Sequence, residues 1–185
     1  MKKNNKDILQ LILKDHEALK DSIAVLLSEK SLPSEKKNQL QRFLYNLNVH
    51  SKSEEASLYD SLINLSKIRP NILESYEEHN LADHLVFEIQ MRSSFDSWDD
   101  ELEAKVKILV EIIANHLEEE ENILFPEVKS YLTQLELENL GVVYQQKRKE
   151  QRQKFDSVSW AVQNNIKGTV FKVSSFVSHK LSDSR

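Results

Sequence analysis

The sequence predicts an all-α protein built from two helical hairpins in tandem, with one or two further helices at its C-terminus. Three observations lead there. The 185 residues include only two glycines and three prolines, too few breaks for the many turns of a sheet. Apolar residues recur at helical spacing rather than in strand-like alternation. And one segment occurs twice: His50-Ser-Lys-Ser-Glu54-Glu55-Ala-Ser-Leu58-Tyr59 returns as His116-Leu-Glu-Glu-Glu120-Glu121-Asn-Ile-Leu124-Phe125. The repetition extends upstream, because Asp15-His16 precedes the first copy by 34 residues, histidine to histidine, and Glu78-His79 precedes the second by 37.

The first helix is expected from about Lys6 to Glu29, where Ile8, Leu11, Ile12, Leu19, Ile23 and Leu26 form an apolar stripe that includes His16. Leu32, Pro33 and Ser34 make a loop in which Ser34 is placed to cap the second helix. That helix runs to about Ser66 through Leu40, Phe43, Leu47, His50, Glu54 and Leu58, and with Asp60 after its motif it is expected to run straight on. Pro70 suits the first turn of a third helix, which continues through Leu73, His79, Val86 and Ile89 to about Arg92. After a turn, the fourth helix starts near Asp99 and points Leu102, Val106, Leu109, Ile113, His116, Glu120 and Leu124 inward. Pro126 lacks an N–H and should kink or end it. Thr133 and Glu136 fit a capping box that opens a fifth helix, which ends near Gly141 or runs through it. A sixth element over roughly 157–178 is rich in β-branched and aromatic residues, but no other segment offers a strand partner, so it is read as helix.

These elements divide the chain into a bundle over residues 5–131 and a basic helical extension over 132–185. From Val142 onward nine basic residues stand against three acidic ones, a net +6, so the first 141 residues carry −11 of the overall −5. Lys147, Arg148, Lys149, Arg152 and Lys154 are read as a solvated face or a surface for a protein partner or self-association. Aromatics are sparse there and the acidic bundle repels phosphate, which weighs against nucleic acid. The absence of cysteine excludes disulfides and thiolate metal sites. No apolar run approaches the roughly 20 residues needed to cross a bilayer. Leu9 to Leu13 is too short for a signal peptide, so a cytoplasmic protein without a membrane partner is expected.

Imidazole and carboxylate four residues apart stack on one helical face. Alone, such a pair is ordinarily a surface contact. Here two pairs and two lone histidines recur at matched places on apolar faces, where burial costs several kcal/mol per unpaired group unless a ligand satisfies it. The candidate metal ligands are therefore His16, His50, Glu54, His79, His116 and Glu120. Imidazole and carboxylate without thiolate favour iron or manganese over structural zinc, and a four-helix bundle can place such side chains around a dinuclear centre. Glu54 and Glu120, one from each half, are the natural bridges. His84, five residues beyond His79, is rotated by about 140° from it. It is read as a non-ligand, as is His179 near the C-terminus. Asp15 and Glu78 are read as surface acids.

These residues resemble the hemerythrin-like, or HHE cation-binding, family. Asp15-His16, His50 to Tyr59, Glu78-His79 and the run from His116 to Pro126 follow that family's pattern in its order over roughly residues 5–131. The resemblance implies an up-and-down antiparallel four-helix bundle around two non-haem iron ions, manganese or a mixed pair being the alternatives. Family activities include reversible O2 binding, NO or peroxide chemistry, iron sensing and iron–sulfur repair. Oxygen-carrying members have a further histidine one turn after the third-helix histidine, where this chain has Asp83. That substitution resembles the bacterial repair and sensor branch, although the cysteines of many repair proteins are missing here.

Three functions are compatible with this reading. The first is a protein binding or sensing O2, NO or a related small ligand at a di-iron centre. The second is an enzyme using the same iron in peroxide or NO detoxification or iron–sulfur centre repair. The third is a helical adaptor with structural metal. No dedicated catalytic acid or base stands outside the metal set, so the sequence leaves the first two unordered.

Overall fold

Asp7 opens the first helix, its carboxylate accepting from the Gln10 N–H at 2.9 Å, and α1 runs over Ile8–Leu27 in the computed structural model, which describes residues 6–91 and 97–163, with side chains through Lys154. Helix α2 (Pro33–Glu54) begins one residue before the expected cap, because Pro33 loses nothing in a first turn that leaves N–H groups unbonded. Glu35 reaches back to the Leu32 N–H at 2.9 Å, so Glu35 rather than Ser34 secures this end. The rod continues through a π-helical turn, Glu55–Tyr59, into α3 (Asp60–Leu62). Helix α4 (Arg69–Gln90) carries Pro70 in its first turn as expected. Asp99 caps α5 (Asp100–Glu119), accepting from the Leu102 N–H at 2.8 Å. A second π-helical turn, Glu120–Leu124, leads into α6 (Phe125–Tyr131), so Pro126 does not end the rod. Thr133 and Glu136 form the predicted capping box, with the Thr133 N–H donating to Glu136 at 2.7 Å, and α7 (Gln134–Gln163) runs straight through Gly141.

The two hairpins, α1 with α2 and α4 with α5, form the up-and-down bundle, and α7 lies against α1, α2 and the first π-turn. Of the expected sixth element, residues 157–163 are the last two turns of α7, and the rest lies outside the described residues, as does His179. No strand occurs among the described residues, and none of their helices is long and apolar enough to cross a membrane.

The core is two apolar clusters with a polar layer between them. One contains Leu19, Ile23, Phe43, Leu47, Ile89, Val106, Leu109 and Ile113. The other contains Ile8, Ile12, Leu58, Ile68, Ile72, Phe125 and Val128, together with Leu137 and Tyr144 of α7. The four helices of the bundle pass from one cluster to the other, and each carries its histidine at the crossing. Gly141 allows α7 to lie against the start of α1: a Cβ at this position would stand 2.5 Å from the Lys6 carbonyl oxygen.

Candidate metal centre

All six predicted ligands meet in the polar layer. Their donor atoms form two overlapping groups, His50, Glu54, His79 and His116 in one and His16, His50 and Glu120 in the other, with the atoms of each within 4.8 Å of one another. All six residues are at most 1% exposed, so the solvent cannot satisfy them. His84 is exposed on the outside of α4, and Asp83 turns away from the centre to pair with Lys52 at 2.8 Å.

Acids hold the outer nitrogens of three imidazoles. His16 Nδ1 lies 2.9 Å from Glu121, His79 Nδ1 lies 3.0 Å from Glu55, and His116 Nδ1 lies 2.7 Å from Glu78. A carboxylate can only accept here, which assigns the ring proton to Nδ1 and leaves the Nε2 lone pair for the centre. Lysines fasten two of these acids in turn, Lys20 on Glu121 at 2.7 Å and Lys52 on Glu55 at 3.0 Å. His50 differs. Its Nδ1 faces the Tyr144 hydroxyl of α7 at 3.5 Å, that hydroxyl donates to Asp15 at 2.6 Å, and Arg148 donates to the other Asp15 oxygen at 2.6 Å. Asp15 and Glu78 are therefore not the surface acids their sequence position implied, for each reaches a neighbouring helix. The signal was already in the repeat, which places an acid before each lone histidine and a second glutamate after each ligand glutamate.

The π-turns explain why the aromatic at the end of each motif recurs. On a regular helix Tyr59 is rotated by about 140° from Glu54 and faces away from the metal layer. The wider π-turn winds more slowly and brings it back. Tyr59 then stacks on His79 with ring centroids 5.7 Å apart, and Phe125 stacks on His16 at the same distance, each aromatic bracing an imidazole of the other half. The Tyr59 hydroxyl also donates to Glu120 and lies 3.2 Å from Glu54, a contact that the sequence reading did not anticipate. The closing π bond runs from the Asp60 N–H to the Glu55 carbonyl in the first copy, but from Phe125 to Glu120 in the second. Pro126 occupies the place of Asp60 and has no N–H, so the bond falls one residue earlier.

Electrostatically the centre wants a cation. Burial and the neighbouring His16 lower the pKa of His50 well below the ordinary imidazole value, and burial lowers that of His79. Burial also opposes charge on His116, but Glu120 and Glu78 outweigh it and raise its pKa. Burial and the adjacent Glu120 push Glu54 well above the carboxylate range, whereas Glu120, equally buried, is held well below it by His116 and His16. Among the described residues, four buried atoms of the centre, His16 Nε2, His50 Nε2, Glu54 Oε1 and Glu120 Oε2, have no hydrogen-bond partner, at a cost of about 1–3 kcal/mol each. Moreover, His16 Nε2 stands 3.2 Å from Glu120 Oε2, and His79 Nε2 stands 3.0 Å from His116 Nε2. With their protons on Nδ1 these atoms face one another as acceptors, and a second ring proton, as on His116, or a metal cation shared between them relieves the repulsion. The residues present fit a bound metal.

Fold and site together define a helical bundle with a buried histidine and glutamate centre able to hold metal. The family model of the hemerythrin HHE cation binding domain matches residues 7–128, and the chain belongs to that family. Among solved structures, the crystal structure of a hemerythrin HHE cation binding domain-containing protein from Mycobacterium kansasii shares the fold with a TM-score of 0.66. The two are 19% identical, and the alignment covers 86% of this chain and 94% of that one. No curated protein matches this chain in sequence.

Proposed function

We propose that this centre holds two iron ions, manganese or a mixed pair being the alternatives, and that the protein uses it to bind or sense O2, NO or a related small ligand. The observation that supports this most is the convergence of buried, unpartnered Nε2 and carboxylate oxygens from both halves of the repeat in two overlapping groups. A nitrogen and oxygen donor set without thiolate suits iron or manganese. His16, His50, His79 and His116 with Glu54 and Glu120 would hold the metal. Four imidazole nitrogens and four carboxylate oxygens fall short of the about twelve positions of two six-coordinate ions, which leaves room for a small ligand. When bound, iron would supply Lewis-acidic, redox-active positions for that ligand.

The chain's own contribution is orientation, exclusion of water and control of protons. Glu121, Glu55 and Glu78 fix three imidazoles with Nε2 inward. The two apolar clusters close both ends of the layer. Tyr59 keeps a proton against Glu120, since burial and both glutamates push its hydroxyl well above the ordinary phenol range. That buried donor is also the observation favouring the second reading, an enzyme of peroxide or NO detoxification or iron–sulfur repair, which needs a proton source beside the metal.

Metal analysis and optical spectra of protein grown with iron, before and after reduction and exposure to O2 or NO, test both readings. A reversible ligand-bound spectrum supports binding, and sustained turnover supports the enzyme. Protein that takes up no iron, and is no more stable when iron is offered, overturns both.

A further inference from the structure

Three of the four imidazoles have an acid on Nδ1, and among the described residues His50 has none. Among the described residues the only hydrogen-bond partner of its Nδ1 is the phenol oxygen of Tyr144, 3.5 Å away. That phenol has one proton, and the short contact of 2.6 Å to Asp15 commits it. Its oxygen is then free only to accept, so the proton on His50 belongs on Nδ1, as in the other three rings, and Nε2 is left for the centre. Asp15 is in turn clamped by Arg148, one turn beyond Tyr144 on the same helix. Two residues of α7 thus close on one acid of α1, and Tyr144 is fully buried where they meet.

We infer that α7 completes the metal centre, with Tyr144 acting as the positioning residue for His50, backed by Asp15 and Arg148. This rests on the metal reading above and goes beyond it, since residue 144 lies outside the matched domain of residues 7–128. The assignment explains why Asp15 and Glu78, at equivalent places in the repeat, behave differently. Glu78 spans the gap to His116 directly, while the shorter Asp15 reaches its imidazole through an inserted hydroxyl. A neutral phenol also polarises His50 less than a carboxylate would, which marks His50 as the weakest donor of the four imidazoles.

The test is Tyr144→Phe in the full-length chain, which removes one oxygen and keeps the packed ring. In metal-free protein labelled with 15N-histidine, NMR should show His50 as the Nδ1–H tautomer in the wild type. In Tyr144→Phe that preference should be lost, while His79 and His116 keep theirs. In a titration with iron(II) or cobalt(II), one of the two ions should bind about 10–100-fold more weakly. Leu137→Ala serves as the structural control, because it loosens α7 in the same apolar cluster without touching these hydrogen bonds. It should lower the melting temperature and leave the His50 tautomer and both affinities unchanged. An unaltered tautomer and affinity in Tyr144→Phe overturns the inference, as does an equal loss of affinity in Leu137→Ala. If the wild type takes up no metal, the metal reading fails, and the tautomer comparison still decides whether Tyr144 positions His50.

Discussion

The two halves of the repeat supply the same candidate ligands but support them differently. In the second half, Glu78 of α4 bonds directly to His116 of α5. In the first half Asp15 falls short of His50, and Tyr144 from a helix outside the repeat fills the gap. The aromatic positions differ in the opposite sense, for Tyr59 of the first half carries a hydroxyl into the centre and Phe125 of the second cannot. Between the halves the bracing is reciprocal: Glu121 and Phe125 hold His16, while Glu55 and Tyr59 hold His79. Duplication therefore accounts for the candidate ligands and the cross-bracing, and the departures from it show where the two halves depend on different groups.

The strongest way to break the comparison is to remove the bridging candidates one at a time. Glu120 contacts His16, His116 and Tyr59, whereas Glu54 contacts His50 and Tyr59. Glu120→Ala should abolish metal uptake and destabilise the metal-free protein by about 3–5 kcal/mol, the usual cost of leaving buried partners uncompensated. Glu54→Ala should keep one ion. It should also cost less stability without metal, because it removes a buried acid whose neighbour Glu120 opposes its ionisation. Metal content and denaturant unfolding check both, and equal losses would mean that the halves are energetically equivalent.

Next in size is the seat of α7. A Cβ at Gly141 would meet backbone of Lys6, Asp7 and Ile8, none of which can swing aside as a side chain could. Gly141→Ala should therefore destabilise by about 1–3 kcal/mol through overpacking. Because Tyr144 lies one turn further along α7, the displacement should also weaken metal binding on the His50 side. Thermal unfolding together with metal titration reads both effects. A stabilised Gly141→Ala protein would show that α7 does not sit so close to α1.

Direct and relayed support can be compared through Glu78. Glu78→Ala leaves His116 Nδ1 without its acid and should weaken metal binding about 10–100-fold, the usual range for losing an acid behind a ligating histidine. Equilibrium competition with a chelator measures it. An effect much smaller than that of Tyr144→Phe would invert the comparison and make the relay, rather than the direct carboxylate, the more important support.

Much of this was legible in the sequence because the repeat carries its own alignment. Four histidines and two glutamates at matched spacing on apolar stripes imply a shared buried ligand, and the structure brings all six together. The helix starts at Pro70, Asp99 and Thr133 follow from chemistry within one turn and were equally readable. What escaped the reading depends on distance between elements or on departure from the ideal helix. A rotation of 100° per residue carries Tyr59 away from the site, so its role stayed hidden until the π-turns appeared. Pro126 was expected to interrupt the fourth rod, but the π-turn displaces the bond that the proline cannot make. Asp15 and Glu78 point sideways on their own helices, and only the positions of α5 and α7 reveal what they reach.

The finest test of the comparison asks whether one methylene separates the halves. If Asp15 fails to reach His50 only because it is shorter than Glu78, lengthening it should substitute for the hydroxyl of α7. Asp15→Glu alone should change little or weaken the site slightly, because Tyr144 and Arg148 already occupy the space into which the longer acid extends. Combined with Tyr144→Phe, however, the added methylene can bring a carboxylate oxygen toward His50 Nδ1. Metal affinity should then recover by up to about tenfold from the level of Tyr144→Phe alone, within the range expected when a carboxylate supports a ligating imidazole. The two substitutions would be strongly non-additive, as expected for residues in one hydrogen-bond network. Metal competition on the wild type, both single variants and the double variant closes the cycle. Simple additivity would show that Asp15 and Tyr144 act on His50 independently, and that chain length at position 15 is not what divides the two halves.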